Sequence, residues 1–162
     1  MNLWLIGMMG SGKSTVGPLV ASELSMVFID TDDGIEARLG ESIADYWRAH
    51  GEEEFRRLER SEIVRVSSSN AVIGAGGGAP TNAANRATMM STGRIIWLRA
   101  GVETLEERLA GLEDRPVLAD RSIADVLVSR EKVYAHLADA RFDTDSGSPG
   151  DIAKEIVAWW SA

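Results

Sequence analysis

Residues 7 to 14, Gly-Met-Met-Gly-Ser-Gly-Lys-Ser, spell the pattern G-x-x-x-x-G-K-[ST], and they follow directly on the apolar run Leu3-Trp4-Leu5-Ile6. Strand, glycine loop and helix in this order point successive backbone N–H groups and a helix N-terminus at the phosphates of a nucleotide. In such a loop Gly7, Gly10 and Gly12 allow a sharp turn and close approach, Lys13 reaches the β- and γ-phosphates, and the Ser14 hydroxyl is a ligand for Mg²⁺. Ser11 and Thr15 belong to the same loop, residues 7–15, and are read as nucleotide-binding with it. A chance glycine-rich turn is the competing reading, and the complete motif after an apolar run argues against it.

Further strand-like runs stand at Val27–Ile29, Ala71–Ile73 and Ile95–Leu98, with a shorter one near Phe142. Segments of helical spacing separate them, at about 13–24, 32–39, 42–68 with a break near Gly51, 81–91, 101–110, 122–139 and 149–160. This alternation predicts an α/β fold, a parallel sheet covered by helices, with ligands at the strand ends. Pro18 is expected to distort the first helix locally. The charged, breaker-rich stretch at about 109–121 reads as a mobile lid.

The chain of 162 residues fits one domain, 1–162, and therefore one active site. It has no cysteine, which excludes disulfides, thiol catalysis and cysteine-ligated zinc. Its formal charge of −8 opposes binding to nucleic acid or to anionic membrane. If the substrates are anions, arginines must be gathered in a cleft. No apolar run approaches the roughly 20 residues of a membrane span, and a first strand from residue 3 leaves no room for a signal peptide, so a cytoplasmic protein is expected.

The second strand runs into Asp30-Thr31-Asp32. In an extended segment both carboxylates would face one side, where one holds a magnesium-bound water and the other faces an acceptor hydroxyl, as phosphoryl transfer to an alcohol requires. Helix capping is the alternative, and it explains one of the three residues well. Arg56 and Arg130 offer planar forks of donors suited to a carboxylate or vicinal hydroxyls, although a lone helix arginine is more often in a solvated ion pair. Gly76, Gly77 and Gly78 follow the third strand, where absent side chains let a ligand rest on the backbone. Glu59 lies one helical step from Arg56, placed to orient it, although an i,i+3 pair on an exposed helix is equally ordinary.

With these strings in order the chain resembles the shikimate kinases. The resemblance rests on the P-loop, Asp30-Thr31-Asp32, Gly51-Glu52-Glu53-Glu54-Phe55-Arg56, the run into Gly76-Gly77-Gly78, Arg115-Pro116-Val117-Leu118, and Arg130 four residues before Tyr134. It implies a three-layer αβα P-loop kinase fold with a five-stranded parallel sheet in the order 2-3-1-4-5, a substrate-binding helical segment at about 31–60, and the lid. It implies ATP-dependent phosphorylation of the 3-hydroxyl of shikimate to shikimate 3-phosphate, on the pathway to chorismate and aromatic amino acids. Mg²⁺ would be held by Ser14 and Asp30, and the protein would act as a monomer.

By the same resemblance Asp32, Arg56, Gly77, Gly78 and Arg130 bind shikimate, with Asp32 also orienting or deprotonating the attacking hydroxyl. Trp47 falls where an aromatic residue meets the substrate ring, a reading weighed evenly against a core role. Arg115 would close over the phosphates and join Lys13 and Asp32 in catalysis. Arg108 would stack on adenine, and Pro149 would complete the adenine pocket. The chain departs from the family at Pro18, Gly74 and Lys132, and in Asp145-Ser146-Gly147-Ser148, which lacks a basic residue often found there. A kinase of another polyol acid such as gluconate, and a non-catalytic nucleotide-binding relative, are the alternatives. His50 and His136 have no partner histidine or cysteine in sequence and are not read as metal ligands.

Overall fold

The computed structural model describes residues 1–111, 118 and 121–162. Its five strands, β1 (Asn2–Ile6), β2 (Val27–Asp30), β3 (Ala71–Gly74), β4 (Gly93–Arg99) and β5 (Ala140–Asp143), form one parallel sheet in the order β2-β3-β1-β4-β5. The helices are α1 (Lys13–Glu23), α2 (Thr31–Leu39), α3 (Ile43–Val66), α4 (Ala83–Thr92), α5 (Val102–Leu109), α6 (Ile123–Leu137) and α7 (Pro149–Trp160), with a 3₁₀ turn at Ala79–Thr81.

The central strands carry almost no exposed residue because each face is covered. The period-2 alternation of β1 sends Leu3 and Leu5 into a core shared with α1 and α7, through Val16, Val20, Ile152 and Ile156. It sends Trp4 and Ile6 into a second core with Ile63, Met89, Val126 and Tyr134 from α3, α4 and α6. These are the two helical layers that the βα alternation predicts. Every loop of interest then emerges at the carboxyl ends of the strands: the P-loop after β1, Asp30-Thr31-Asp32 at the end of β2, the triple glycine after β3, and Thr144 to Pro149 after β5.

Of two local expectations, the one at Pro18 comes out differently and the one at Gly51 is met. α1 runs without interruption through Pro18. The proline lies on the exposed side of the helix, where its missing N–H does not disturb the packed face. Gly51 does break α3, with φ 85° and ψ 172°, and so re-aims the turn that carries Arg56. Trp159 and Trp160 are half-buried anchors of α7, and the Arg94 guanidinium lies 3.7 Å from the Trp159 ring centre. Residues 112–117, 119 and 120 of the proposed lid, about 109–121, lie outside the described residues, and Arg115 with them.

Candidate active site

The donor half is built on α1. Helices α2, α3, α4, α6 and α7 each begin on a side chain, Asp30, Ser42, Asn82, Ser122 and Ser148, that accepts a first-turn N–H. α1 begins instead on Gly12, left-handed at φ 98° and without a side-chain cap. Its first-turn amides are thus offered to an external anion. Lys13 Nζ donates to the carbonyls of Gly7 (2.9 Å) and Met8 (2.8 Å), which holds the ammonium over the loop it closes. A cavity of about 430 Å³ opens above, lined among others by Gly10, Gly12, Lys13, Ser14, Thr15, Asp30, Asp32, Arg108 and Pro149.

Arg108 shapes one wall of this cavity. Its Nη1 donates to the Gly10 carbonyl and to Thr144 Oγ1, both at 3.1 Å, and Nη2 donates to the Thr144 carbonyl. Thr144 Oγ1 also lies 3.0 Å from the Ser11 carbonyl. One buried threonine therefore ties the P-loop, α5 and the β5–α7 loop together. No signal in the sequence marks Thr144, because its partners lie far away along the chain.

At the end of β2 the backbone does not stay extended through Asp32, contrary to expectation. It turns into α2 at Thr31, and Asp30 is the cap, its Oδ1 accepting from the Asp32 N–H at 3.0 Å. Asp30 Oδ2 accepts from Ser14 Oγ at 2.8 Å. Two hard oxygens thus stand side by side at the phosphate end of the cavity, which fits a cation that keeps most of its waters and takes one or two protein ligands. No cluster of three or more acidic, histidine or cysteine side chains exists among the described residues to hold a metal without a ligand's help. Thr31, between the aspartates, is fully buried and accepts the Gly76 N–H at 2.9 Å, joining the β2 and β3 loops.

The acceptor half is a smaller cavity, about 80 Å³, lined by Met9, Asp32, Ile43, Trp47, Phe55, Arg56, Glu59, Gly76, Gly77, Gly78 and Arg130. Met9, Asp32 and Gly77 line both cavities, so the two meet at these residues. The glycines are dictated by close approach: a Cβ on Gly78 would stand 2.2 Å from Arg56 Nη1, and one on Gly76 would stand 2.6 Å from Asp32 Oδ1. Arg56 Nη1 donates to both oxygens of Glu59, at 3.0 and 3.1 Å, and its Cζ lies 5.5 Å from the Trp47 ring centre. Arg130 is buried, and its Nη1 has no hydrogen-bond partner among the described residues. A buried guanidinium N–H left open beside a glycine platform is a place for an anion.

Burial raises the Glu59 carboxyl from the usual 4.5 to about 7, against the lowering by Arg56, with Asp32 adding to the rise and Arg130 opposing it. A carboxyl whose pKa is higher folded than unfolded adds stability below 4.5 and loses that contribution as pH climbs to about 7. The difference in unfolding free energy between the native protein and Glu59→Gln should therefore fall across that window. Denaturant titrations at several pH values measure it, and a flat difference would mean that Glu59 is ionised throughout.

A glycine-loop phosphate cradle joined to an arginine-lined acceptor pocket defines a P-loop kinase acting on a small acid. The shikimate kinase family model matches residues 9–161. A shikimate kinase from Persephonella marina is 42% identical over 96% of this chain and 96% of its own. The solved shikimate kinase from Acinetobacter baumannii in complex with shikimate superposes with a TM-score of 0.94 at 32% identity, covering 99% of this chain and 92% of that one. A gluconokinase from Sinorhizobium meliloti reaches a TM-score of only 0.61 at 16% identity, over 99% of this chain and 91% of its own, a likeness of fold alone. The chain belongs to the shikimate kinase family, and it is an enzyme of that family's kinase type.

Proposed function

We propose that this protein transfers the γ-phosphoryl group of ATP to the 3-hydroxyl of shikimate, giving shikimate 3-phosphate and ADP on the route to chorismate and the aromatic amino acids. The observation that carries the reading is the shared wall. Asp32 and Gly77 border both the nucleotide cavity and the acceptor pocket, so a phosphoryl group and an alcohol held in the two meet beside one carboxylate.

In this reading Arg56 and Arg130 grip the acid while the glycine platform and Trp47 seat its ring. Asp32 receives or orients the proton of the attacking hydroxyl. The α1 amides and Lys13 carry the negative charge of the phosphates, Lys13 exchanging its two carbonyl partners for phosphate oxygens. Ser14 and, through water, Asp30 would hold Mg²⁺, which when bound neutralises charge between the β- and γ-phosphates. The face of Arg108, whose edge is occupied by Thr144 and Gly10, is assigned to the base, with Pro149 opposite. Arg115 is assigned to closing over the phosphates. The same reading makes the enzyme a cytoplasmic monomer; among the described residues no helix is long and apolar enough to cross a membrane.

Coupled ADP release with shikimate, quinate, gluconate and no acceptor tests the proposal. Release should depend on shikimate and stay near background with the other acids. Equal rates with and without shikimate would overturn it.

A further inference from the structure

Tyr134 is fully buried in α6, and no step above uses it. Its ring stands in the core with its centre 5.9 Å from that of Trp97, a rigid post under the glycine platform. The hydroxyl donates to the Gly77 carbonyl at 2.6 Å, and Met8 Sδ of the P-loop lies 3.9 Å away. Burial pushes the phenol up to about 12, so it remains a donor throughout the working pH range. The Arg130 guanidinium lies beside it, one helical turn earlier.

The Gly77 carbonyl and the Gly78 N–H are the two ends of one peptide unit. Among the described residues no peptide bond is cis, so these ends point in opposite directions. Fixing the carbonyl toward α6 therefore fixes the N–H toward the other side, where Gly78 borders the acceptor cavity against Arg56. The N–H groups of Gly77 and Gly78 are flanked by amides that are spent within the protein, Gly76 N–H on Thr31 and Ala79 N–H on the Gly76 carbonyl at 2.9 Å. The Gly78 N–H has no such bond among the described residues.

We infer that Tyr134 is a positioning residue for the acceptor: by holding the Gly77 carbonyl, its hydroxyl aims the Gly78 N–H at an oxygen of the bound acid between Arg56 and Arg130. This rests on the reading of the acceptor pocket given above. It also accounts for a tyrosine, and not a phenylalanine, at a position where the ring packs in the core while the hydroxyl meets the Gly77 carbonyl with Arg130 beside it.

Tyr134→Phe removes the hydroxyl and keeps the ring, so the KM for shikimate should rise about fivefold, the scale of one lost hydrogen bond, while the KM for ATP stays put. Thr81→Val is the control. It deletes a hydroxyl that donates to the adjacent Gly78 carbonyl at 2.7 Å, on a peptide whose N–H is already used in the turn. It should leave the KM for shikimate within about twofold of native, well below the effect of the tyrosine hydroxyl. An unchanged KM in Tyr134→Phe, parallel rises for both substrates, or an equal rise in Thr81→Val would each overturn the positioning role. Native enzyme assayed alongside separates the causes: no shikimate-dependent ADP release there refutes the function itself.

Discussion

Asp32→Asn is expected to lower kcat by about 10² or more, the scale of a lost general base or nucleophile orienter. Asparagine has the shape of aspartate, and the bond that seats this residue comes from its backbone N–H to Asp30, so α2 should keep its start. The charge is what disappears, at the point where the two cavities meet. The KM for ATP should change little, because the phosphate cradle is built from the P-loop and α1. Steady-state kinetics with each substrate varied in turn gives both numbers. Near-normal turnover would reduce Asp32 to a residue that shapes the pocket. A large rise in the KM for ATP with unchanged kcat would move it to the donor side.

Arg130→Met is expected to raise the KM for shikimate by about 10- to 100-fold, since hydrogen bonds to charged groups are the stronger ones. The same change should leave the melting temperature unchanged or higher. Arg130 is only 6% exposed and its Nη1 is unpaired among the described residues, so the ligand-free protein carries a cation whose burial is poorly offset. Methionine fills much of the same space without that charge. Glu59, which loses a neighbouring cation, can answer by keeping its proton. Kinetics and thermal unfolding of one variant decide the matter. Lost activity together with a steep fall in melting temperature would make the guanidinium a structural element, and an unaltered KM would remove it from the acid-binding set.

Much of the architecture is local in origin and so is readable along the chain. Leu3-Trp4-Leu5-Ile6 is apolar on both faces because β1 is covered on both, and the five strands fall at or within a few residues of the apolar runs. The break at Gly51 is local as well, since only glycine enters that left-handed region without strain. The glycine spacing of the P-loop likewise settles its own turn. Where local reasoning went astray, at Asp32 and Pro18, a neighbouring choice intervened. Asp30 took the capping role and started α2 one residue early, and the helix tolerated a proline on its exposed side.

The sequence by itself determined the order of strands and helices, the presence of a phosphate-binding loop, and the identity of the charged and glycine residues that follow each strand end. Only the tertiary structure decided which of these groups meet and in what state. Arg108 reaches Thr144, Thr144 reaches the Ser11 carbonyl across 133 positions, and Tyr134 reaches Gly77 across 57. Glu59 is held near neutrality and Arg130 is left with an open N–H because the sheet and helices shut water out around them. Backbone preferences act over a turn or a strand, whereas desolvation and pairing depend on atoms brought together from remote parts of the chain, so the chemistry of the site appears only once the layers have packed.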